Sequence, residues 1–148
     1  MLAGRADLAR RPRSVDASSV TDLPTLESWI TKLGFSTTTV DESTLRIRPP
    51  ASADAGELPP FFVQWTKNWV VLSILPMLAP GEYKAEDLGR RLLAMNRDMH
   101  LAKFALDRSR AVILCAELPT ESLDYSEIEN ALTRMVQYAR RFRSELLG

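Results

Sequence analysis

The residues best suited to chemistry in this chain are its single histidine, His100, and its single cysteine, Cys115. His100 has no second histidine, cysteine or carboxylate at ligand spacing, and protein metal sites need several such groups together. Cys115 lies among apolar residues in a predicted strand, with no histidine or lysine nearby in the sequence to stabilise a thiolate. We therefore expect no metal site and no cysteine nucleophile, and we interpret Cys115 as a buried or half-buried structural thiol.

The carboxylates follow the pattern of solvated helix faces rather than that of a general acid–base pair. Glu86 and Asp87 come early in one predicted helix, and Glu127 and Glu129 come early in another. Acidic groups are favoured there because the helix dipole is positive at its start. The chain has only six glycines, and none of them belongs to a phosphate-binding loop motif. We therefore expect a protein that is not an enzyme, with no catalytic residue and no cofactor.

The basic run Arg140-Arg141-Phe142-Arg143 raises the question of nucleic-acid binding. Arginines in the last turns of a helix are stabilised by its dipole, and here an apolar phenylalanine interrupts them. The whole chain has 19 basic and 19 acidic residues, so no net charge draws it toward nucleic acid or an anionic membrane. We interpret the run as a solvated helix end and expect neither nucleic acid nor a membrane as a partner.

Length and composition indicate one domain with a sizeable core. The chain has 148 residues, of which 45% are hydrophobic. A single cysteine cannot form an internal disulfide, which suits a reducing compartment. The N-terminus carries arginines without the apolar stretch of a secretory signal, and no apolar run is long enough to span a membrane. We expect a cytoplasmic protein with a flexible tail at 1–20 and one domain at 21–148.

Periodicity and turn signals predict the elements that must position the candidate residues. The predicted helices cover 21–33 and 84–96, and a third opens at a capping box formed by Asp124 and Glu127. The predicted strands cover 36–40, 44–48, 61–66, 69–77, 101–106 and 111–118. Short turns join most consecutive strands, and such strands pair antiparallel. The predicted fold class is therefore α+β, in the order helix, four strands, helix, two strands, helix.

The strongest hairpin signal is the pair of strands around Lys67-Asn68. A two-residue turn there places alternate residues on a wholly apolar face, which we expect to be core. The residues of that face are Phe61, Val63, Trp65, Val70, Leu72 and Ile74. In the last hairpin, a bulged loop at 107–110 would pair Phe104 with Leu114, and the hydrophobic pattern favours this register over an unbulged one.

The opposite face of the first hairpin is the best candidate for a functional surface. It carries Phe62, Trp69, Val71 and Leu75, and we expect Arg46 and Arg48 of the preceding hairpin to flank the two aromatic residues. Aromatic residues with a polar rim are typical of protein-binding surfaces. Another part of the same chain, such as the N-terminal tail, could instead cover this face, and the sequence leaves both interpretations open.

Three segments resemble the YbjN-like family, whose fold is shared with the CesT-type secretion chaperones. They are Leu92–Asn96, Lys103–Asp107 and Glu117–Pro119. The resemblance implies a first helix, an antiparallel sheet interrupted by a helix, and a closing helix. In CesT-like chaperones that fold is a homodimer that holds an extended client segment on apolar sheet and helix surfaces. The family offers no catalytic residues to carry over.

The pI near 6.6 separates this chain from the secretion chaperones, which are typically strongly acidic, and favours the YbjN-like side, linked with regulatory or stress roles in bacteria. We therefore predict a bacterial, non-enzymatic homodimer that holds an unidentified client protein. The alternative is a small-molecule-binding regulatory domain. A closed pocket between sheet and helices, lined by converging polar groups, would favour that alternative, whereas an open apolar groove would favour protein binding.

Overall fold

A computed structural model of the chain describes residues 21–51, 58–83 and 86–147. The expected tail at 1–20 lies outside the described residues. The elements are α1 (Leu23–Lys32), β1 (Ser36–Asp41), β2 (Thr44–Arg48), β3 (Phe61–Trp65), β4 (Trp69–Leu78), α2 (Leu88–Arg97), β5 (Lys103–Leu106), β6 (Val112–Pro119) and α3 (Tyr125–Leu147). The predicted order of helices and strands is confirmed.

The six strands form one antiparallel sheet in the order β1-β2-β3-β4-β6-β5. The first four strands are neighbours both in the chain and in the sheet. The β5–β6 hairpin then returns after α2, with β6 against β4 and β5 at the edge. The α+β class is therefore confirmed, and the sheet is open, with β1 and β5 as its two edges.

Side chains cap the first and the last helix. Asp22 caps α1, because its carboxylate accepts a hydrogen bond of 2.9 Å from the backbone N–H of Thr25. At the start of α3, the backbone N–H of Glu127 donates to the Asp124 carboxylate at 2.9 Å, and the backbone N–H of Asp124 donates to the Glu127 carboxylate at 3.1 Å. These reciprocal bonds are the predicted capping box.

The predicted start of the middle helix is wrong. The helix begins at Leu88 rather than at 84, and residues 84 and 85 lie outside the described part of the chain. Asp87, the residue before it, has a φ of 59° and no capping hydrogen bond from its side chain. This left-handed backbone interrupts helical geometry just where the sequence pattern suggested the first turn.

The hairpin registers agree with the sequence. Trp65 pairs with Val70 across the Lys67-Asn68 turn, and the Thr66 hydroxyl oxygen accepts a 3.0 Å hydrogen bond from the backbone N–H of Trp69. In the last hairpin Phe104 pairs with Leu114, as the bulged loop predicts. The extra residue of that loop is Arg110, whose φ of 73° is left-handed.

The core lies between one face of the sheet and all three helices. Leu26 and Ile30 of α1, Leu92 of α2, and Ile128 and Met135 of α3 belong to the same buried cluster. The strands contribute Leu45, Ile47, Phe61, Val63, Val70, Leu72, Ile74, Phe104, Val112, Leu114, Ala116 and Leu118. Burying these side chains supplies most of the favourable free energy of folding, so the helices are held on this face.

The expectation that Trp65 is buried needs a correction. Its side chain is half-buried and packs against the edge of the core. Its indole Nε1 donates a hydrogen bond to the backbone carbonyl of Thr21. A buried tryptophan needs a partner for its N–H, and here the partner lies at the end of the sheet, where the ring is partly exposed.

Candidate partner-binding face

The face of the sheet opposite the helices carries the candidate residues, and we call it the open face. Its members come from alternate positions of the strands, because successive side chains point to opposite sides. They are Arg46, Arg48, Phe62, Gln64, Trp69, Val71, Ser73, Leu75, Lys103, Ala105, Ile113, Cys115 and Glu117. Trp69 is 47% exposed and Leu75 is 41% exposed. Within the ranges 21–51, 58–83 and 86–147, the buried residues of all three helices belong to the core on the other face.

One row of residues crosses the open face through all six strands and begins with Thr38 on β1, which pairs with Arg46. Arg46 pairs with Phe62, Phe62 with Ser73, Ser73 with Cys115, and Cys115 with Lys103. Phe62 therefore lies near the middle of the sheet, beside the Arg46 side chain. Arg46 and Lys103 are the cationic members of the row, and the groups between them are apolar or weakly polar.

Val71 and Leu75 complete an apolar patch around Phe62. They precede and follow Ser73 by two residues on β4, and Ser73 is the pairing partner of Phe62. Such diagonal neighbours on a sheet lie about 7–8 Å apart, within reach of an aromatic side chain. Phe62 and Val71 are half-buried, whereas Leu75 is exposed. Of the six predicted residues, the structure thus brings four together, namely Arg46, Phe62, Val71 and Leu75.

The expectation that both arginines flank both aromatic residues is wrong. Trp69 pairs with Pro119 at the turn end of β4. Arg48 is displaced from Arg46 toward the Leu75 end of the sheet, because β2 and β4 run in the same direction. Leu75 follows Trp69 by six positions, about 20 Å along a strand. Trp69 and Arg48 therefore lie at opposite ends of the open face.

Strand β6 extends the open face beyond the predicted residues. Ile113 and Cys115 are half-buried on it, as is Ala105 on the neighbouring β5. The sequence did not single them out because residues 112–116 are apolar on both faces, so alternation gave no contrast. Burial raises the pKa of the Cys115 thiol, and the Glu117 carboxylate raises it further. The thiol is therefore held in its neutral form, consistent with a structural role.

The single histidine and the acidic residues are the other candidates for chemistry. No group of three histidine, cysteine or carboxylate side chains in this part of the chain could hold a metal ion. His100 lies in the loop between α2 and β5, and its backbone N–H donates to the Tyr138 hydroxyl at 2.8 Å. Among the helices described, none is long and apolar enough to cross a membrane.

A cavity on the helix side of the molecule bears on the small-molecule alternative. It has a volume of about 410 Å³ and lies between the end of α1, the Pro49-Pro50 segment and α3. Its lining is mostly apolar, with Thr133, Gln137 and Arg140 as the polar members. The cavity is thus partly enclosed by helices and a loop, whereas the open face is a broad exposed surface.

Comparison with known proteins gives a family match across most of the sheet and α3. The model of the Tir chaperone protein (CesT) family matches residues 62–143. That segment runs from Phe62 on the open face to Arg143 near the end of α3, so it includes both hairpins of the second half of the fold. No curated protein sequence is detectably similar to this chain.

Solved structures share the fold at low sequence identity. A chain of the ExsC–ExsE complex has a TM-score of 0.60 and 16% identity, over 85% of this chain and 97% of that one. YbjN from E. coli has a TM-score of 0.58 and 16% identity, over 85% and 94%. A chain of the heterodimeric ExoU–SpcU complex, from the type III secretion system of Pseudomonas aeruginosa, has a TM-score of 0.53 and 22% identity, over 81% and 93%.

Proposed function

The chain belongs to the Tir chaperone protein (CesT) family, and we propose from this premise that it holds a segment of a partner polypeptide on the open face of its sheet. The family and the similar chains of two-protein complexes support a chaperone-like role in binding a partner protein. The client, and the residues that hold it, are the finer part of the proposal.

The observation that carries the proposal is the asymmetry of the sheet. All three helices pack on one face, while the other exposes Leu75 beside half-buried Phe62 and Val71, and exposes Trp69 two residues before Val71 at the turn end of β4. Contiguous exposed apolar surface of this kind commonly marks a site of protein interaction. Aromatic side chains dominate the energetics of such sites, so Phe62 and Trp69 are the proposed anchors.

The charges around the patch suggest what the client segment contains. Arg46 lies beside Phe62, and Lys103 closes the same row at the β5 edge. The Lys103 ammonium already donates to the backbone carbonyls of Asn96 and Met99, at 2.8 Å and 2.6 Å. A client segment with an apolar side chain over Phe62 and a carboxylate beside Arg46 would therefore complement this row. Such pairs at the rim of an interface contribute mainly to orientation and to the rate of association.

We also propose that the protein is a homodimer, as the family resemblance of the sequence implies. The most exposed large apolar side chain among the described residues is Leu93, at 71%, on the outer side of α2. Strand β5, against which α2 packs, exposes Leu106 at 45%. A dimer through this side of the molecule leaves the open face free for a client.

The client proposal is tested with a Phe62→Ala, Trp69→Ala double variant used as bait beside the wild type, with captured proteins quantified by mass spectrometry. Removing an interface anchor costs about 2 kcal/mol or more, so recovery of a specific client should fall at least tenfold. Val40→Ala is the matched control, because Val40 is 53% exposed on β1 but lies away from the patch.

Thermal unfolding of the same variants separates binding from stability. The double variant should unfold within a few degrees of the wild type, because its side chains lie outside the core. Unchanged client recovery with a large loss of thermal stability would mean that Phe62 and Trp69 serve the fold, and would overturn the proposal.

A further inference from the structure

A second candidate site lies on the helix side of the molecule, along one face of α3. Val136, Gln137 and Arg140 line the cavity of about 410 Å³, and Arg143 lines a smaller cavity of about 290 Å³. These four residues recur at helical spacing, so they share one face of α3 over about 10 Å. The two cavities therefore follow one another along the helix, and we call them together the α3 groove.

The two parts of the groove differ in polarity. The larger part is walled by Leu33 and Phe35 from the first half of the chain and by Leu132 and Val136 of α3. Among the described residues that line it, Arg140 is the only charged one. The smaller part is lined by Arg48, Arg143 and apolar residues of the segment Leu58–Pro60. All charged groups among the described residues that line the groove are thus positive.

Arg143 supplies an independent sign that an anion belongs here. Its Nε atom is buried and has no hydrogen-bond partner within the described part of the chain. Buried polar groups of proteins nearly always have a partner, and an exception calls for an explanation. A guanidinium group is built to bind a carboxylate through two parallel hydrogen bonds. Arg140 is one helical turn away, with its Cβ about 5–6 Å from that of Arg143.

We propose that the α3 groove binds a small amphiphilic carboxylate, with its apolar body in the larger cavity and its carboxylate between Arg140 and Arg143. A cavity of this size falls within the range of small-molecule sites, and such sites combine apolar walls with few, well-placed polar groups. The ligand class is a free carboxylic acid with an aliphatic or aromatic body of medium length.

This site is separate from the proposed client site. Arg48, at the end of β2, borders both surfaces. The other described residues that line the α3 groove lie on the helix side or in its loops, whereas Phe62 and Trp69 lie on the opposite face of the sheet. Binding of the acid therefore requires neither the open face nor a protein client. If one proposal is wrong, the other is unaffected, because client binding and carboxylate binding are tested with different variants.

The test is isothermal titration calorimetry of the full chain with decanoate, kept below its micelle concentration. We expect saturable binding at one site per chain, and at least tenfold weaker binding for the Arg140→Gln, Arg143→Gln double variant. Arg141→Gln is the matched control, because it removes the same charge from the same helix but lines neither cavity. It should change the affinity less than twofold.

Two further arms make the result decisive. Decyltrimethylammonium has the same tail with a cationic head, and it should not bind to the wild type. Val136→Trp fills the larger cavity and should abolish decanoate binding. If Arg143→Gln impairs folding, Arg140→Gln alone tests the exposed arginine of the site. Absence of saturable binding, equal binding by the double variant, or binding of the cationic amphiphile would each overturn the proposal.

Discussion

The indole Nε1 of Trp65 donates a hydrogen bond to the backbone carbonyl of Thr21, 44 positions earlier in the chain. The Thr21 hydroxyl in turn donates to the backbone carbonyl of Leu123 at 3.3 Å. Thr21 is one of the few buried polar residues described. The residue just before the cap of α1 therefore joins the end of β3 to the loop that enters α3, across three segments distant in sequence.

Trp65→Phe should destabilise the protein, because it removes the donor to the Thr21 carbonyl while retaining an aromatic ring. The expected loss in the free energy of unfolding is about 1 kcal/mol, measured by urea denaturation. Trp69→Phe is the control, since Trp69 lies on the open face with no hydrogen bond from its indole among the described contacts. Equal stability of wild type and Trp65→Phe would mean that this hydrogen bond contributes nothing net.

The free energy of unfolding should fall at acidic pH, because ionised aspartate side chains accept hydrogen bonds in several helix caps and turns. The Glu127 backbone N–H and, next, the Ser126 hydroxyl hold the pKa of Asp124 below its ordinary value of 3.8. The charged form therefore binds more strongly in the folded state. Its contribution is complete above the unfolded pKa and is lost as pH falls through the lower folded pKa.

The measurement is the urea midpoint of wild type and Asp124→Asn between pH 7 and pH 3. The asparagine keeps a side-chain oxygen for the cap but cannot titrate, so the difference between the two proteins should shrink in the most acidic samples. A difference that stays constant down to pH 3 would contradict this assignment. Asp98→Asn is a control, because the Asp98 carboxylate lies at the C-terminal end of α2 and bonds the Arg97 side chain rather than the backbone N–H groups of a helix start.

Cys115 should react slowly with thiol reagents, and Glu117→Gln should speed the reaction. Burial is the larger cause of the raised thiol pKa, and the Glu117 carboxylate is the smaller one, so neutralising Glu117 lowers the pKa only part of the way. The readout is the labelling rate as a function of pH, whose midpoint should move to lower pH in the variant. Glu121→Gln, outside this face, should leave the midpoint unchanged. A wild-type midpoint below that of a free thiol would identify a reactive cysteine instead.

The features that the sequence predicted well are those determined by residues close to one another in the chain. The Asp124–Glu127 capping box needs only two side chains and two backbone N–H groups at fixed spacing. The β3–β4 register follows from a two-residue turn and from the alternation of Phe61, Phe62 and Val63, because one face of the strand must be apolar. The register in turn placed Phe62 on the open face correctly.

The features that the sequence missed depend on contacts between distant segments. The sequence suggested that Arg48 flanks Trp69 on the open face, but the strand registers place the two residues at opposite ends of the sheet. The run at 140–143 looked like a solvated helix end. Arg140 and Arg141 are exposed, as expected, but the Nε atom of Arg143 is buried, and Arg143 lines a cavity together with Leu58–Pro60, which helical periodicity alone could not foretell.

The homodimer is tested at Leu93, which lies on α2 with its neighbour Leu92 buried on the inner side. In a twofold interface both subunits contribute the same surface patch, so one substitution changes the interface at two places. Leu93→Glu would place two carboxylates in an apolar interface, where burying each charge without a partner is costly. Light scattering at micromolar concentrations should therefore show a wild-type dimer and a monomeric variant. Val40→Glu adds the same charge at another exposed apolar residue and should remain dimeric. A monomeric wild type would refute the homodimer, whereas a dimeric Leu93→Glu protein would move the interface away from α2.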